Sequence, residues 1–110
     1  MGVSDEFASY VCDQLAGWAK VSVRKMFGGA GLYHRGFMFG LIADDVAYLK
    51  VDDSNRSDFV KAGSKPFRPY KGKSTVMSYY QVPGDILEDA TAFCEWAQKA
   101  FEAALRAKRR

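Results

Sequence analysis

The sequence contains little of the chemistry from which metal centres and disulfide scaffolds are built. Its 110 residues include one histidine and two cysteines. A structural zinc site takes four Cys or His ligands, and a small disulfide scaffold needs several cysteine pairs. Neither class is expected, no cofactor is predicted, and Cys12 and Cys94 are interpreted as reduced thiols.

Long apolar runs are also absent, which excludes a protein that spans a membrane with helices. No stretch approaches the roughly 18 consecutive apolar residues of such a helix. The start of the chain, Ser4-Asp5-Glu6, is acidic and unlike a secretory signal peptide. We therefore expect a cytoplasmic protein with no membrane partner.

Apolar side chains, in contrast, are plentiful. Hydrophobic residues make up 48% of the chain and aromatic residues 15%, enough for a hydrophobic core. The length predicts a single domain over residues 1–110. The formal net charge of +3 is shared by many proteins that do not bind nucleic acid, so charge alone does not indicate a partner.

The first half of the chain predicts a helix followed by an antiparallel meander. Apolar residues recur at helical spacing over residues 4–19, with Ser4 as the N-cap. The pattern then alternates as in strands, with turns predicted at residues 34–36 and at Asp44-Asp45. In the strand over residues 46–51, alternate residues are apolar, which predicts a sheet with one buried face.

The second half predicts a short helix, a second hairpin and a final helical region. Asp52 or Asp53 is expected to cap the short helix, which ends at Gly63. Residues 67–70 and 75–82 are predicted to pair, with Pro69 on an edge strand. Pro83 opens the final helical region, whose core stripe is predicted to be Ala90, Phe93, Cys94, Ala97, Phe101, Ala104 and Leu105. The fold class is α+β, with an antiparallel sheet in the order α-β(3–4)-α-β(2)-α.

The glycine-rich stretch over residues 24–40 fails as a phosphate-binding loop. A dinucleotide fingerprint that starts at Gly29 requires glycine at position 34, where the chain has His34. We predict instead that Gly28 and Gly29 adopt positive φ where one strand turns into the next. Gly31 and Gly40 are expected to allow a β-bulge or a close crossing of the sheet.

No catalytic residue is predicted. His34 falls in a predicted hairpin tip, where we expect a solvent-exposed side chain without the oriented partner that a catalytic histidine needs.

A cationic stretch lies between Asp58 and Asp85, where the sequence has no acidic residue. Together with nearby tyrosines it is typical of a nucleic-acid surface, to which Arg24 and Lys25 can be added. The alternative is a solvated sheet edge whose lysines discourage pairing between copies. The candidate nucleic-acid contacts are Lys61, Lys65, Arg68, Lys71 and Lys73.

Three motifs resemble one known family. They are Met26-Phe27-Gly28-Gly29 with Gly31-Leu32-Tyr33, then Tyr48-Leu49-Lys50-Val51, then Met77-Ser78-Tyr79-Tyr80 followed by Val82-Pro83. In combination, over residues 4–106, they resemble the N-terminal domain of the bacterial TfoX/Sxy competence regulators. The resemblance implies an α-β(3)-α-β(2)-α domain of the secretion-chaperone-like type and a role in gene regulation.

Members of that family are not known as enzymes, and the resemblance implies action with the cyclic-AMP receptor protein at promoters. Because the sequence stops at Arg110, we expect no C-terminal helix-hairpin-helix domain. The motif positions that form the candidate partner or ligand surface are Phe27, Gly28, Gly29, Gly31, Tyr33, Lys50, Ser78 and Tyr79.

Three functional hypotheses follow from the sequence. The first is a non-enzymatic regulatory or interaction domain with a protein partner, such as the transcription machinery. The second is direct nucleic-acid binding through the basic hairpin. The third is an enzyme or small-molecule sensor with a pocket near Tyr33, Lys50, Ser78 and Tyr79, in which a desolvated lysine or tyrosine acts as acid or base. A homodimer is left open by the sequence.

Overall fold

Five antiparallel strands form one sheet, in which neighbours along the chain are also neighbours in space, in the order β1-β2-β3-β4-β5. The computed structural model describes residues 4–26, 28–67 and 78–108. The strands are β1 (Ser22–Met26), β2 (Gly29–His34), β3 (Phe37–Ala43), β4 (Val46–Lys50) and β5 (Tyr79–Gln81). The helices are α1 (Asp5–Leu15), α2 (Arg56–Lys61), α3 (Gly84–Glu88) and α4 (Ala90–Lys108). The predicted α+β class with an antiparallel sheet is confirmed.

Two-residue turns connect β2 to β3 and β3 to β4. The Asp44-Asp45 turn is confirmed, whereas the turn predicted over residues 34–36 contains only Arg35 and Gly36. Arg35 and Gly36 have φ values of 54° and 84°, and Asp44 and Asp45 have values of 52° and 56°. Positive φ at both central positions suits the right-handed twist of the flanking strands. The Asp45 carboxylate also accepts a hydrogen bond from the backbone N–H of Ser4 at 2.7 Å, which ties the start of α1 to the sheet.

The glycines of the meander serve a turn and two close approaches. Gly28 has a φ of +79° between β1 and β2, as predicted, but Gly29 lies inside β2 without a positive φ, so that prediction was wrong. A Cβ on Gly29 would lie 2.5 Å from the Ile42 carbonyl oxygen, and one on Gly40 would lie 2.7 Å from the Tyr48 carbonyl oxygen. These contacts explain why both positions lack a side chain.

A β-bulge interrupts the pairing of β2 with β3. The register shifts between Leu32 and Tyr33, since Leu32 lies opposite Gly40 while Tyr33 lies opposite Met38. Phe39 is therefore the extra residue. Of the predicted bulge or close crossing, Gly40 shows the close approach and lies next to the bulge, whereas Gly31 pairs in regular register.

The hydrophobic core lies between one face of the sheet and the helices. Ala47, Leu49 and Val51 are buried there and alternate with half-buried residues, as predicted for this strand. The stripe of α4 contributes Phe93, Ala97, Phe101 and Ala104, also as predicted. Two members of the stripe, Cys94 and Leu105, are only partly buried at the margin of the core. Ala90, at the exposed start of α4, does not belong to the core.

The two long helical predictions were correct only in part: the first extended beyond its helix, and the second missed a break. The predicted helix over residues 4–19 keeps its Ser4 cap, whose hydroxyl accepts from the Phe7 N–H, but α1 ends at Leu15 and a turn around Gly17 follows. The final helical region is two helices, because Asp89 is extended at φ −102° and ψ 99°. The Asp89 carboxylate accepts from the Ala92 N–H at 3.1 Å and so caps the N-terminus of α4 as a separate helix.

The N-cap of α2 is Asn55, so the prediction of Asp52 or Asp53 was wrong. A tight turn after β4 delays the helix, and the buried Asn55 side chain holds that turn. It accepts from the Asp52 N–H at 2.8 Å and donates to the Lys50 carbonyl at 3.0 Å. The predicted end is confirmed, because Gly63 has a φ of +75° just beyond the helix.

The predicted second hairpin is described only in part. The Phe67 N–H donates to the Tyr79 carbonyl at 2.7 Å, and the Gln81 N–H donates to the Lys65 carbonyl at 3.0 Å. Residues 65–67 therefore lie antiparallel to β5. The predicted edge residue Pro69 and the turn at residues 71–73 lie outside the described residues. None of the described helices combines the length and apolar character needed to cross a lipid bilayer.

Candidate functional site

The sheet has a second face, on which none of the described helices packs. Side chains of a strand alternate between faces, and directly paired residues share one. Gly31 pairs with Arg24 and Leu41, Leu41 pairs with Tyr48, and Lys50 pairs with Tyr79. We call this surface the helix-free face; its described residues include Arg24, Gly29, Gly31, Tyr33, Met38, Leu41, Val46, Tyr48, Lys50, Phe67 and Tyr79.

The helix-free face has a buried centre of its own. Leu41 is 8% exposed and Tyr79 is 6% exposed, yet neither belongs to the core cluster that the helices cover. Tyr33, Tyr48 and Phe67 are half-buried around them. The rings of Tyr48 and Phe67 contact each other with centroids 4.9 Å apart. The face is therefore apolar and aromatic at its centre.

Two cations rest on tyrosine rings of this face. The guanidinium carbon of Arg24 lies 4.8 Å from the centroid of the Tyr33 ring. The Lys50 ammonium lies 5.2 Å from the centroid of the Tyr79 ring. Attraction between a cation and the π-face of an aromatic ring favours both contacts, which place the two positive charges over the sheet.

Burial raises the pKa of Tyr48 and Tyr79 on this face, which favours their protonated hydroxyls. Burial, with a smaller effect of nearby Tyr33, raises the pKa of Tyr79 to about 12. Burial and, to a lesser extent, the Asp44 carboxylate raise the pKa of Tyr48. At neutral pH these groups can donate or accept hydrogen bonds, but they are poor general bases.

The structure brings most of the candidate partner or ligand surface together. Gly29, Gly31, Tyr33, Lys50 and Tyr79 all lie on the helix-free face, distributed over β2, β4 and β5. Because β3 lies between the strand of Tyr33 and the strand of Lys50, these residues form a broad surface across the sheet.

The other three candidates for the partner or ligand surface lie at the margin of the helix-free face or outside the described residues. Gly28 occupies the exposed turn before β2. Ser78 is exposed just before β5, and its carbonyl accepts from the Val51 N–H at 2.8 Å. Phe27 lies outside the described residues.

The candidate nucleic-acid contacts do not form one described patch. Lys61 ends α2, in the helical layer, whereas Lys65 lies two residues before Phe67 and therefore shares its face. Lys25 points toward the helices, where its ammonium lies 3.3 Å from the Asp5 carboxylate. The remaining three candidates, Arg68, Lys71 and Lys73, lie outside the described residues.

His34 is not the exposed tip residue that the sequence predicts. The turn is formed by Arg35 and Gly36, so His34 is the last residue of β2 and faces the helices. Its half-buried ring lies 4.8 Å from that of Phe101 and 5.1 Å from that of Trp18, between centroids. It packs as part of an aromatic cluster.

The two cysteines are free thiols, as interpreted from the sequence. The Cys94 thiol donates to the Gln14 carbonyl at 3.4 Å. Burial is the main cause that raises the pKa of both Cys12 and Cys94. Within the described part of the chain, no three His, Cys, Asp or Glu side chains are grouped so that they could hold a metal ion.

Comparison with known proteins identifies the family. The model of the TfoX N-terminal domain matches residues 13–104. The chain is also similar to a curated protein of Spirochaeta aurantia described as "Uncharacterized 12.7 kDa protein in trpE 5'region". The two are 30% identical over 93 residues, which are 84% of this chain and 76% of that protein. The chain therefore belongs to the TfoX N-terminal domain family.

Proposed function

We propose that this chain is a non-enzymatic regulatory domain that acts by binding a protein partner through its helix-free face. The observation that carries the proposal is a sheet face on which none of the described helices packs, with the half-buried aromatic side chains of Tyr33, Tyr48 and Phe67 accessible on it. Apolar surface with a polar or charged rim is the anatomy of a protein interface. Family membership supports a place in transcription regulation, including competence, with the transcription machinery as the class of partner.

The chemistry of the described residues supports binding over catalysis. The buried Tyr79 hydroxyl has a pKa of about 12, and burial raises the pKa of both thiols. A nucleophile or general base needs a pKa near or below the working pH, and these shifts go the other way.

Photo-crosslinking in cells that naturally produce the protein tests this proposal. A photoreactive amino acid is placed at Val46 or Tyr48, on the helix-free face, and at exposed Glu95, on α4, as a matched control. We expect both face positions to crosslink the same discrete protein and Glu95 to crosslink none of it. The proposal is wrong if the face positions give no discrete product or if Glu95 gives the same one.

Direct nucleic-acid binding is a second candidate, favoured by the presence of Arg24, Lys50 and Lys65 on one face. It is tested by titrating labelled duplex and single-stranded DNA at low and physiological salt while anisotropy is measured. A Kd below roughly 10⁻⁶ M at physiological salt would exceed ordinary non-specific binding and establish this function. Weak binding that disappears with salt would remove it.

A further inference from the structure

We infer, on the basis of the function proposed above, that the helix-free face binds an acidic, extended segment of the partner protein. Carboxylates of that segment pair with Arg24 and Lys50, and its apolar side chains contact the half-buried rings of Tyr48 and Phe67. The inference specifies the chemistry of the partner and the residues that recognise it.

Charge complementarity is the first argument. The described strand residues on this face include Arg24, Lys50 and Lys65 and none that is acidic. The Asp44 carboxylate, in the turn at the end of β3, acts on Tyr48 from the edge of the face, where it is outnumbered by these three cations. A second copy of this chain would offer the same cations to this face, so a symmetric dimer through it would bring like charges together. An acidic partner supplies the complement that the face lacks.

Geometry is the second argument. Arg24 and Tyr48 occupy one row across β1, β2, β3 and β4, and Lys50 lies two residues further along β4. With strands about 4.8 Å apart and a rise of about 3.4 Å per residue, the two cations lie roughly 16 Å apart at the backbone. The charged groups themselves lie over the rings of Tyr33 and Tyr79. A segment that pairs with both cations must therefore cross several strands, which an extended chain does in a few residues.

The aromatic rings favour a polypeptide over nucleic acid. Single-stranded nucleic acid gains affinity by stacking bases on open aromatic faces. Here the faces of Tyr33 and Tyr79 are already occupied by Arg24 and Lys50, and Tyr79 is 6% exposed. The guanidinium over Tyr33 keeps its N–H groups in plane, where they can donate to a carboxylate in a forked geometry.

Selection from a random peptide library displayed on phage, followed by affinity measurement, tests the inference without knowledge of the partner. The full chain is the bait, and the best peptides are then measured by anisotropy at physiological ionic strength. One double variant reverses both charges, Arg24→Glu with Lys50→Glu. A second neutralises them, Arg24→Gln with Lys50→Gln, and still tests the inference if the charge-reversed protein does not fold. The matched control, Lys61→Glu with Lys108→Glu, makes the same charge change on helices.

We expect the selected peptides to be enriched in Asp and Glu relative to the input library, with aliphatic or aromatic residues between them. Both face variants should weaken binding about tenfold or more, the equivalent of losing about one charge-assisted contact. The helix control should stay within about twofold, because distant surface charges are screened at this ionic strength.

Three results would overturn the inference: selected peptides with no acidic excess, affinity unchanged in the neutralised variant, or a single-stranded oligothymidine that binds the face more tightly than the best peptide. Its failure is separable from that of the proposed function. If crosslinking from Val46 and Tyr48 still captures a partner while the peptides show no acidic preference, only the chemistry assigned to the partner is wrong. If the face crosslinks nothing, the proposed function fails.

Discussion

Asn55 is the buried polar side chain among the described residues, with 1% exposure, and it joins two parts of one turn. Its amide accepts from the backbone of Asp52 and donates to the backbone of Lys50. The side chain of Lys50 supplies one of the cations of the helix-free face. Asn55 therefore fixes the backbone from which that cation extends.

Replacing Asn55 by alanine should therefore be costly. Asn55→Ala leaves the part-buried Asp52 N–H and Lys50 carbonyl without this partner, which lowers the free energy of unfolding by about 1–3 kcal/mol. Urea denaturation followed by circular dichroism measures the loss. Ser57→Ala, at an exposed position on α2, should change stability by less than about 0.5 kcal/mol. Equal effects of the two variants would contradict the assigned role.

Gly40 and Gly17 provide a matched pair of glycine substitutions. In Gly40→Ala the new Cβ would lie 2.7 Å from the Tyr48 carbonyl oxygen, and relief requires movement of strand backbone. We expect a loss of about 1–3 kcal/mol in the free energy of unfolding. Gly17→Ala meets nothing within 4 Å and needs no positive φ, so it should be neutral or slightly stabilising. Thermal unfolding distinguishes the two, and a neutral Gly40→Ala would show that the sheet can relax there.

At the level of elements, the end of α4 is attached to the turn before α2. The Nε of Arg106 lies 2.8 Å from an Asp52 carboxylate oxygen, and its Nη2 donates to the Ser54 hydroxyl at 2.7 Å. The Arg106 hydrogen bond is the main cause that holds the pKa of Asp52 well below its usual range, with further hydrogen bonds from Ser54.

This attachment predicts a defined pH dependence. Because the folded-state pKa of Asp52 is depressed, its contribution to stability is present above the unfolded pKa of about 4 and is lost as pH falls toward the folded value. Wild type should thus exceed Arg106→Gln in melting temperature at neutral pH, and the difference should shrink steadily below about pH 4. Lys108→Gln is the control and should show no such trend. A difference that is constant with pH would contradict the assignment.

The sequence pattern correctly predicted the elements that depend on a few adjacent residues. The alternation of β4, the Asp44-Asp45 turn and the Gly63 stop were all predicted, since each depends on a few adjacent residues. The break at Asp89 was not predicted, because the apolar period continues across it and only the cap reveals two helices. Asn55 was missed for a similar reason, since its partners are backbone groups that no sequence pattern identifies.

At the scale of the whole molecule, burial of the thiols makes a further prediction. Burial raises the pKa of Cys12 and Cys94, so less reactive thiolate is present at neutral pH. Both should react with iodoacetamide several-fold more slowly in the native protein than in urea, as followed by mass spectrometry. The unfolded chain serves as its own control, and equal native and unfolded rates would show that the thiols are accessible.

The helix-free face could be predicted only in fragments. The family resemblance selected Tyr33, Lys50 and Tyr79, and the alternation over residues 46–51 predicted a sheet with one buried face. Their common face depends on the strand order and on the bulge at Phe39, which set the register between strands distant in sequence. The contact of Phe67 with Tyr48 likewise arises from long-range pairing, for which no local pattern exists.

The chain order of the sheet has a consequence for synthesis on the ribosome. Consecutive strands can pair as they emerge, because each hairpin needs only a short loop to close. The helix that covers β3 and β4, however, is the 19-residue α4, which emerges after them. Until it docks, Phe39, Ile42 and Leu49 lack their cover, so the nascent meander passes through an aggregation-prone stage that ends when α4 arrives. We therefore expect the nascent chain to be most prone to aggregation between translation of β4 and docking of α4.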